Sequence, residues 1–201
     1  MAVKSEAESK PGGEIFQILV TLLGADPPIW RRVLAPANLT LARFHDVLQC
    51  VMGWEHSHPH EFNFGGRRYA EPDPYEGGFG MGETVDDRKV RLNEVFRRVG
   101  SKGIYTYDFG DGWEHELLLE KRLSADPKQA YPACVAGERA CPPEDCGGIP
   151  GFYDLLEAIE QPDHPRRDEL LDWLGGGYDP QAFSIEAVNR ALRPGRRPRP
   201  S

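Results

Sequence analysis

Between Tyr105 and Glu120 the chain reads YTYDFGDGWEHELLLE, two stretches with strand character flanking Asp111-Gly112. Asp-Gly favours a two-residue type I′ turn, because both central positions of that turn need positive φ. A turn there predicts a hairpin pairing Gly110 with Trp113, Phe109 with Glu114, Asp108 with His115 and Thr106 with Leu117. The rival three-residue loop would set Asp108 against Glu114, two like charges across the ladder. The first register is therefore expected. It puts Ile104, Thr106 and Asp108 on the same face as Trp113, His115, Leu117 and Leu119, leaving Glu114, Glu116 and Glu120 on the other. A carboxylate that orients an imidazole occurs in metal sites and in general-base pairs. Asp108, His115 and Asp111 are thus candidate catalytic residues; the plainer alternative is a polar pair that satisfies itself and pins the register.

The flanking sequence supplies further elements. EIFQILVTLLG and PIWRRVLAP read as strands, and the pair Arg31 and Arg32 suggests a sheet edge, since guanidinium groups are not buried without partners. In NLTLARFHDVLQCVMGW the residues Leu41, Phe44, Val47, Leu48, Val51 and Met52 form one helical stripe. Thr40 or Asn38 caps its start and Gly53 ends it, with Cys50 beside the stripe as a small packed hydrophobe. PHEFNFGGRRYA predicts a hairpin turning at Gly65-Gly66. A long acidic, glycine-rich loop follows over 71–90, of the kind that forms functional flaps. LNEVFRRVG is a short helix, and three helical stretches close the chain: FYDLLEAIEQ, PRRDELLDWLG and SIEAVNRALR. The expected fold class is α+β: a single compact domain over 14–193, mostly antiparallel β-hairpins packed with helices, with a helical C-terminal third. Residues 1–13 read as a disordered leader, and 194–201, with Arg196, Arg197 and Arg199, as a basic disordered tail.

Two more constellations carry chemistry. In EHSHPHEF an extended backbone points His56, His58 and His60 to one side, roughly 7 Å apart, so His58 and His60 can serve one metal ion. Solvated or hydrogen-bonded histidines in a turn are the alternative. In YPACVAGERACPPEDCGG, Cys134, Cys141 and Cys146 fall in a Pro/Gly-rich segment with little strand or helix pattern. Zinc would hold such a loop together, and His115 as fourth ligand would give a closed structural Cys3His site. The spacings C-x6-C and C-x4-C are not the tight C-x2-C knuckle, and independently packed, reduced cysteines remain the alternative. Glu144 and Asp145 sit in a rigid Pro-Pro turn, free to cap the helix that follows.

The formal net charge of −8 over 201 residues argues against a general nucleic-acid binder and makes a protein partner the better expectation. The polar start lacks the apolar core of a secretory signal, and IFQILVTLLGA is too short to span a bilayer. A cytoplasmic protein with no membrane partner is expected, its four cysteines reduced. No phosphate-binding loop, dinucleotide fingerprint or Gly-x-Ser-x-Gly elbow is present.

PIWRRVLAP, TLARFHDVLQCVMGWEHSHPHEF, YTYDFGDGWEHELLLE, ACPPEDCGGIPGFYDLL and WLGGGYDPQAFSIEAVNRAL, in this order, resemble the plasmid Ri open-reading-frame-three-like family. Its members are also named insertion-element passenger proteins of the TnpR type. The resemblance covers about residues 14–193 and implies one α+β domain without an established activity. The TnpR label suggests a resolvase, yet no serine-recombinase nucleophile context is found. In that family the Pro-Pro-Glu-Asp and Gly-Gly elements are more defining than the cysteines. Two functions follow as expectations, the first of them favoured and the second its alternative. One is a non-enzymatic binding or structural module linked to mobile elements, with a structural zinc as its possible cofactor. The other is a metal-dependent, hydrolase-like enzyme using His115 with Asp108, Asp111, His58 or His60.

Overall fold

A computed structural model describes residues 13–72 and 84–193. The expected leader over 1–12, the centre of the acidic loop at 73–83 and the basic tail over 194–201 lie outside the described residues. The architecture is dominated by one eight-stranded sheet, not by separate hairpins. Its strands are β1 (Glu14–Leu22), β2 (Trp30–Pro36), β3 (His60–Phe64), β4 (Arg67–Ala70), β5 (Val85–Asp86), β6 (Lys102–Tyr107), β7 (Trp113–Ser124) and β8 (Ala133–Glu138). They run in the order β5-β4-β3-β6-β7-β1-β2-β8, antiparallel except for the short β4–β5 pair. Helices α1 (Leu41–Met52), α2 (Leu92–Val95), α3 (Gly148–Glu160), α4 (Arg167–Trp173) and α5 (Ile185–Ala191) complete the fold.

Helix α1 forms as its stripe predicts. The Thr40 side chain accepts from the Arg43 N–H, and Gly53 closes the C-terminus at φ 95°. Leu41, Phe44, Val47, Leu48, Val51 and Met52 are buried, joining Phe16, Ile18 and Val20 of β1 and Leu117 and Leu119 of β7 in one core. Burying each such side chain stabilises the fold by about 1.5–3 kcal/mol.

The hairpin differs from expectation. β6 and β7 pair Tyr107 with Trp113, Thr106 with Glu114 and Tyr105 with His115. The connecting loop therefore spans 108–112 instead of two residues. Asp108 enters it at φ 55°, its carbonyl accepts from the Gly112 N–H at 2.6 Å and its Oδ1 from the Gly110 N–H at 2.9 Å. The physical reason is side-chain burial. An odd register shift exchanges the faces of β6. The observed register buries Tyr105 and Tyr107 completely beside Trp113, His115 and Leu117. The two-residue turn would have exposed both rings and turned Thr106 and Asp108 inward. Two aromatic rings outweigh the local turn preference by several kcal/mol.

Two further differences concern β2 and its neighbour. The segment after Tyr131 contains β8, which pairs with β2 and removes it from the edge. The Asn189 side chain of α5 then mimics a further strand, accepting from the Cys134 N–H and donating to the Cys134 carbonyl, each at 2.8 Å. Arg31 is buried under this cover. Its guanidinium donates at 2.8 Å to the carbonyls of Val51, Trp30, Glu138 and Arg139, and it lies over the Phe183 ring. Carbonyl oxygens, not solvent, are the partners that sequence reasoning required. Arg32, on the other face, forms a two-pronged pair with Glu120 at 2.7 and 2.9 Å.

Candidate functional site

The three chemical constellations meet at one end of β3, β6 and β7, but through carboxylates instead of cysteines. The 108–112 loop, the histidine segment before β3 and the Pro-Pro-Glu-Asp turn before α3 pack together there. Glu144 Oε1 accepts from the Tyr107 hydroxyl and from the Glu55 N–H, both at 2.8 Å. The Trp54 indole donates to the Pro142 carbonyl at 3.0 Å. Asp111 Oδ2 accepts from the Gly147 N–H at 3.1 Å. Gly148 comes so close to the Asp111 carbonyl that a Cβ would sit 2.4 Å from its oxygen. Asp111 and Glu144 thus fasten loops together, and the N-cap position of α3 is Gly147, which has no side chain to cap the helix, so Asp145 is not its cap.

These fastenings place His58 beside Asp145 and Asp108. Nε2 of His58 is 3.1 Å from Asp145 Oδ1 and 3.7 Å from Asp108 Oδ2. Despite this proximity the nitrogen is buried and forms no hydrogen bond, so its axis is aimed at neither oxygen. Among the described residues, this trio is the one set of three His, Cys, Asp or Glu side chains whose ligand atoms lie within 4.8 Å of one another. Asp108 and Asp145 adopt φ 55° and 59°. Left-handed backbone at a non-glycine residue costs of order 1 kcal/mol and is concentrated at functional sites.

The trio stands beside a cleft of about 800 Å³, whose lining includes His45, His56, His58, His60, Asp87 and Phe109. His60 Nε2 lies 2.9 Å from Oδ2 of the buried Asp87, a carboxylate-held imidazole. The His60 ring stacks on His45 with 3.6 Å between centroids. His45 Nδ1 is 2.8 Å from the Tyr105 hydroxyl, and burial, with His60 and His56 adding to it, depresses the His45 pKa to about 2. The described flanks of the acidic loop, Glu71, Thr84 and Arg88, also line this cleft.

The other predicted residues lie apart. His115 is fully buried, facing Tyr105 across the hairpin and ringed by Trp54 and Tyr105 instead of meeting Asp108. Its Nδ1 lies 3.4 Å from the Tyr105 carbonyl, which can only accept, and Nε2 is buried without a partner. Desolvation lowers its pKa to about 4. Cys134, Cys141 and Cys146 do not gather with His115 into a ligand set. Cys134 is buried in β8, its thiol directed to the Ala136 carbonyl, and burial pushes the Cys146 thiol up to about 12 and Cys141 higher still. His45 and Asp87 escaped sequence reasoning. His45 lies directly beside the α1 stripe, where a histidine next to Phe44 signals a buried polar group; Asp87 falls within the stretch 71–90 read as an aperiodic loop and carries no such signal.

Residues 14–187 match the family described as plasmid pRiA4b ORF-3-like protein. The chain belongs to this family. It is 37% identical over 180 residues to the Sinorhizobium fredii "Uncharacterized protein y4hQ", covering 89% of this chain and 90% of that one. The crystal structure of the protein of unknown function MM3350 from Methanosarcina mazei Go1 has the same fold, with TM-score 0.79 and 33% identity. That match covers 90% of this chain and 99% of MM3350. Like it, this plasmid pRiA4b ORF-3-like chain combines a large sheet with helices, and no described helix is long and apolar enough to cross a membrane.

Proposed function

We propose that the protein is a metal-dependent enzyme of hydrolase-like chemistry, with His58, Asp108 and Asp145 as ligands of a divalent cation. The observation that carries this reading is the geometry of the trio. One nitrogen and two carboxylate oxygens converge within 4.8 Å, yet the imidazole forms no hydrogen bond with either acid. A pair arranged only for itself would be hydrogen-bonded, whereas ligands of a shared cation need not be. Nitrogen and oxygen donors suit zinc or manganese, and three protein ligands leave a position open for water or substrate. The cation would lower the pKa of a bound water. His60, held by Asp87, is the base that receives a proton in the same cleft.

Metal analysis of protein purified without a histidine tag tests this, together with equilibrium dialysis against zinc and manganese. One ion per chain is expected, lost in His58→Ala and Asp145→Ala. Turnover of nitrophenyl phosphate and carboxylate esters should disappear in His60→Ala while the ion stays bound. Absence of a stoichiometric ion would falsify the reading.

A non-enzymatic binding module, tied to mobile elements by genetic neighbourhood alone, is the second reading. It is favoured by the way the polar groups of the cleft pair among themselves: Arg68 with Glu61, Arg43 with Asp46, His60 with Asp87. In that case a bound ion would only fasten the hairpin loop to the Pro-Pro-Glu-Asp turn, and neither wild type nor His60→Ala would turn over the esters.

A further inference from the structure

A chain of hydrogen bonds behind the cleft fixes where the proton of His45 resides. It begins at Gln49, which is fully buried in α1. The backbone N–H of His56 donates to Gln49 Oε1 at 3.0 Å. This settles the orientation of the amide, because the opposite one would set two donors face to face. Gln49 Nε2 consequently donates to the Tyr105 hydroxyl oxygen, also at 3.0 Å. That oxygen has received one proton and must place its own. The remaining partner is His45 Nδ1 at 2.8 Å. Tyr105 remains a phenol throughout, since burial drives its pKa well above the usual value.

With Nδ1 accepting, a neutral His45 carries its proton on Nε2. That nitrogen is not among the buried atoms without a partner, and the residue lines the cleft. The parallel stack on His60 at 3.6 Å keeps the ring from turning. Burial and the neighbouring imidazoles oppose a second proton. His45 and His58 both line this cleft, and their rings lie 6.3 and 5.9 Å from that of Tyr107.

We propose that His45 is a substrate-binding residue, its Nε2–H a fixed neutral donor to an oxyanion, a phosphoryl or carboxylate oxygen, held in the cleft. This rests on the reading of the cleft as the functional site and names what it recognises. A neutral donor suits an anionic ligand, because it has no proton to lose to the ligand and no acceptor on that edge to repel it. It binds the same oxygen whether charge is present or develops during reaction. Arg43, Arg68 and Arg88 line the same cleft against Asp46, Glu61, Glu71 and Asp87, so the charges of the lining largely cancel and the oxyanion is recognised by this donor, not by net charge.

The test is nitrogen-15 spectroscopy of the histidine rings in the full chain, with inorganic phosphate as the probe. His45 is expected as the Nε2–H tautomer, unchanged between about pH 5 and 8, and phosphate should move its Nε2–H resonance. Gln49→Glu reverses the chain. Its carboxylate accepts from the Tyr105 hydroxyl, Tyr105 then accepts from His45 Nδ1–H, and Nε2 turns into an acceptor. Phosphate affinity should fall about tenfold, the loss expected for one hydrogen bond to a charged ligand. Tyr105→Phe removes the lock without adding charge, so it should mix the two tautomers and weaken phosphate less. A wild-type Nδ1–H tautomer, or a phosphate response that leaves His45 Nε2–H unmoved, overturns the inference. These readouts need no turnover. A chain lacking stoichiometric metal but showing them would refute the metal-dependent reading alone.

Discussion

His58 and His115 pack against different members of one aromatic wall, Tyr107 and Trp54, and their surroundings differ in burial and in charge. Trp54 and Tyr107 stack with 5.0 Å between centroids; His115 packs against Trp54 and His58 against Tyr107, each with steeply inclined ring planes. On the inner side the imidazole is dry and neutral, in a region containing the buried Arg31 cation and thiols whose pKa values burial has raised. On the outer side the imidazole is 27% exposed and faces two carboxylates. The difference shows where the proposed cation ligands lie: His58 and Asp145 keep contact with water, and His115 does not. Burial holds the thiols of that interior protonated in the metal-free chain, whereas of the two carboxylates beside His58 one, Asp108, is buried and the other, Asp145, is 67% exposed.

The largest test of the inner side is Arg31→Ala. It leaves the carbonyls of Val51, Trp30, Glu138 and Arg139 without this donor and opens a cavity beneath Phe183. A loss of about 4 kcal/mol in urea unfolding is expected. If the two sides are independent, zinc titration of the variant under folding conditions should match wild type. Coupled loss of metal affinity would break the comparison.

Acid provides the second test. His115 titrates near its ordinary value in the unfolded chain and at about 4 when folded. The unfolded chain therefore takes up the proton first. Stability is fully present above about pH 6.5 and is lost as pH falls from about 6.5 to about 4, by about 3 kcal/mol at the lower end. Urea midpoints at pH 7.5 and 4.5 should show this loss, and His115→Gln should show a correspondingly shallower pH dependence. His45, its pKa depressed further by burial, also takes stability away over this window, so the variant keeps part of the slope; a variant with the full wild-type slope would mean that His115 is not among the groups responsible.

Sequence patterning conveyed the periodic elements well and the site only in pieces. Helix α1 was legible because six apolar residues, a Thr cap and a closing glycine all agree. The hairpin register was not, because the turn preference of Asp111-Gly112 and the burial of Tyr105 and Tyr107 point in different directions, and burial is the larger quantity. β8 escaped because ACVAGE has few large residues, and its edge is closed by Asn189 from a distant helix. His58 and Asp108 were legible as candidates. That Asp145 joins them, instead of capping α3, depends on the docking of Glu144 onto Tyr107, a contact 37 residues apart along the chain.

That contact is also the point where the two sides meet. Tyr107 buries its ring in the interior, and its hydroxyl accepts from the Ser57 N–H at 3.0 Å and donates to Glu144. Tyr107→Phe keeps the wall and removes only the fastening. Stability should drop by about 1–2 kcal/mol. Metal affinity should fall by about tenfold, as when a group supporting a ligand is removed. A metal affinity that does not change would show that Asp145 is positioned without Glu144.

The smallest effect belongs to a pair remote from both histidines. Glu120 accepts from Arg32 and from Gln17 on the outer face of the sheet, and these contacts hold its carboxyl below the usual range. Both side chains of the ion pair remain partly exposed, at 31% and 19%, so screening by water limits its worth. Glu120→Gln should lower stability by less than about 1 kcal/mol, and less again in high salt. Neither zinc binding nor the acid dependence assigned to His115 should respond. A change in either would mean that the sheet itself transmits between its two faces.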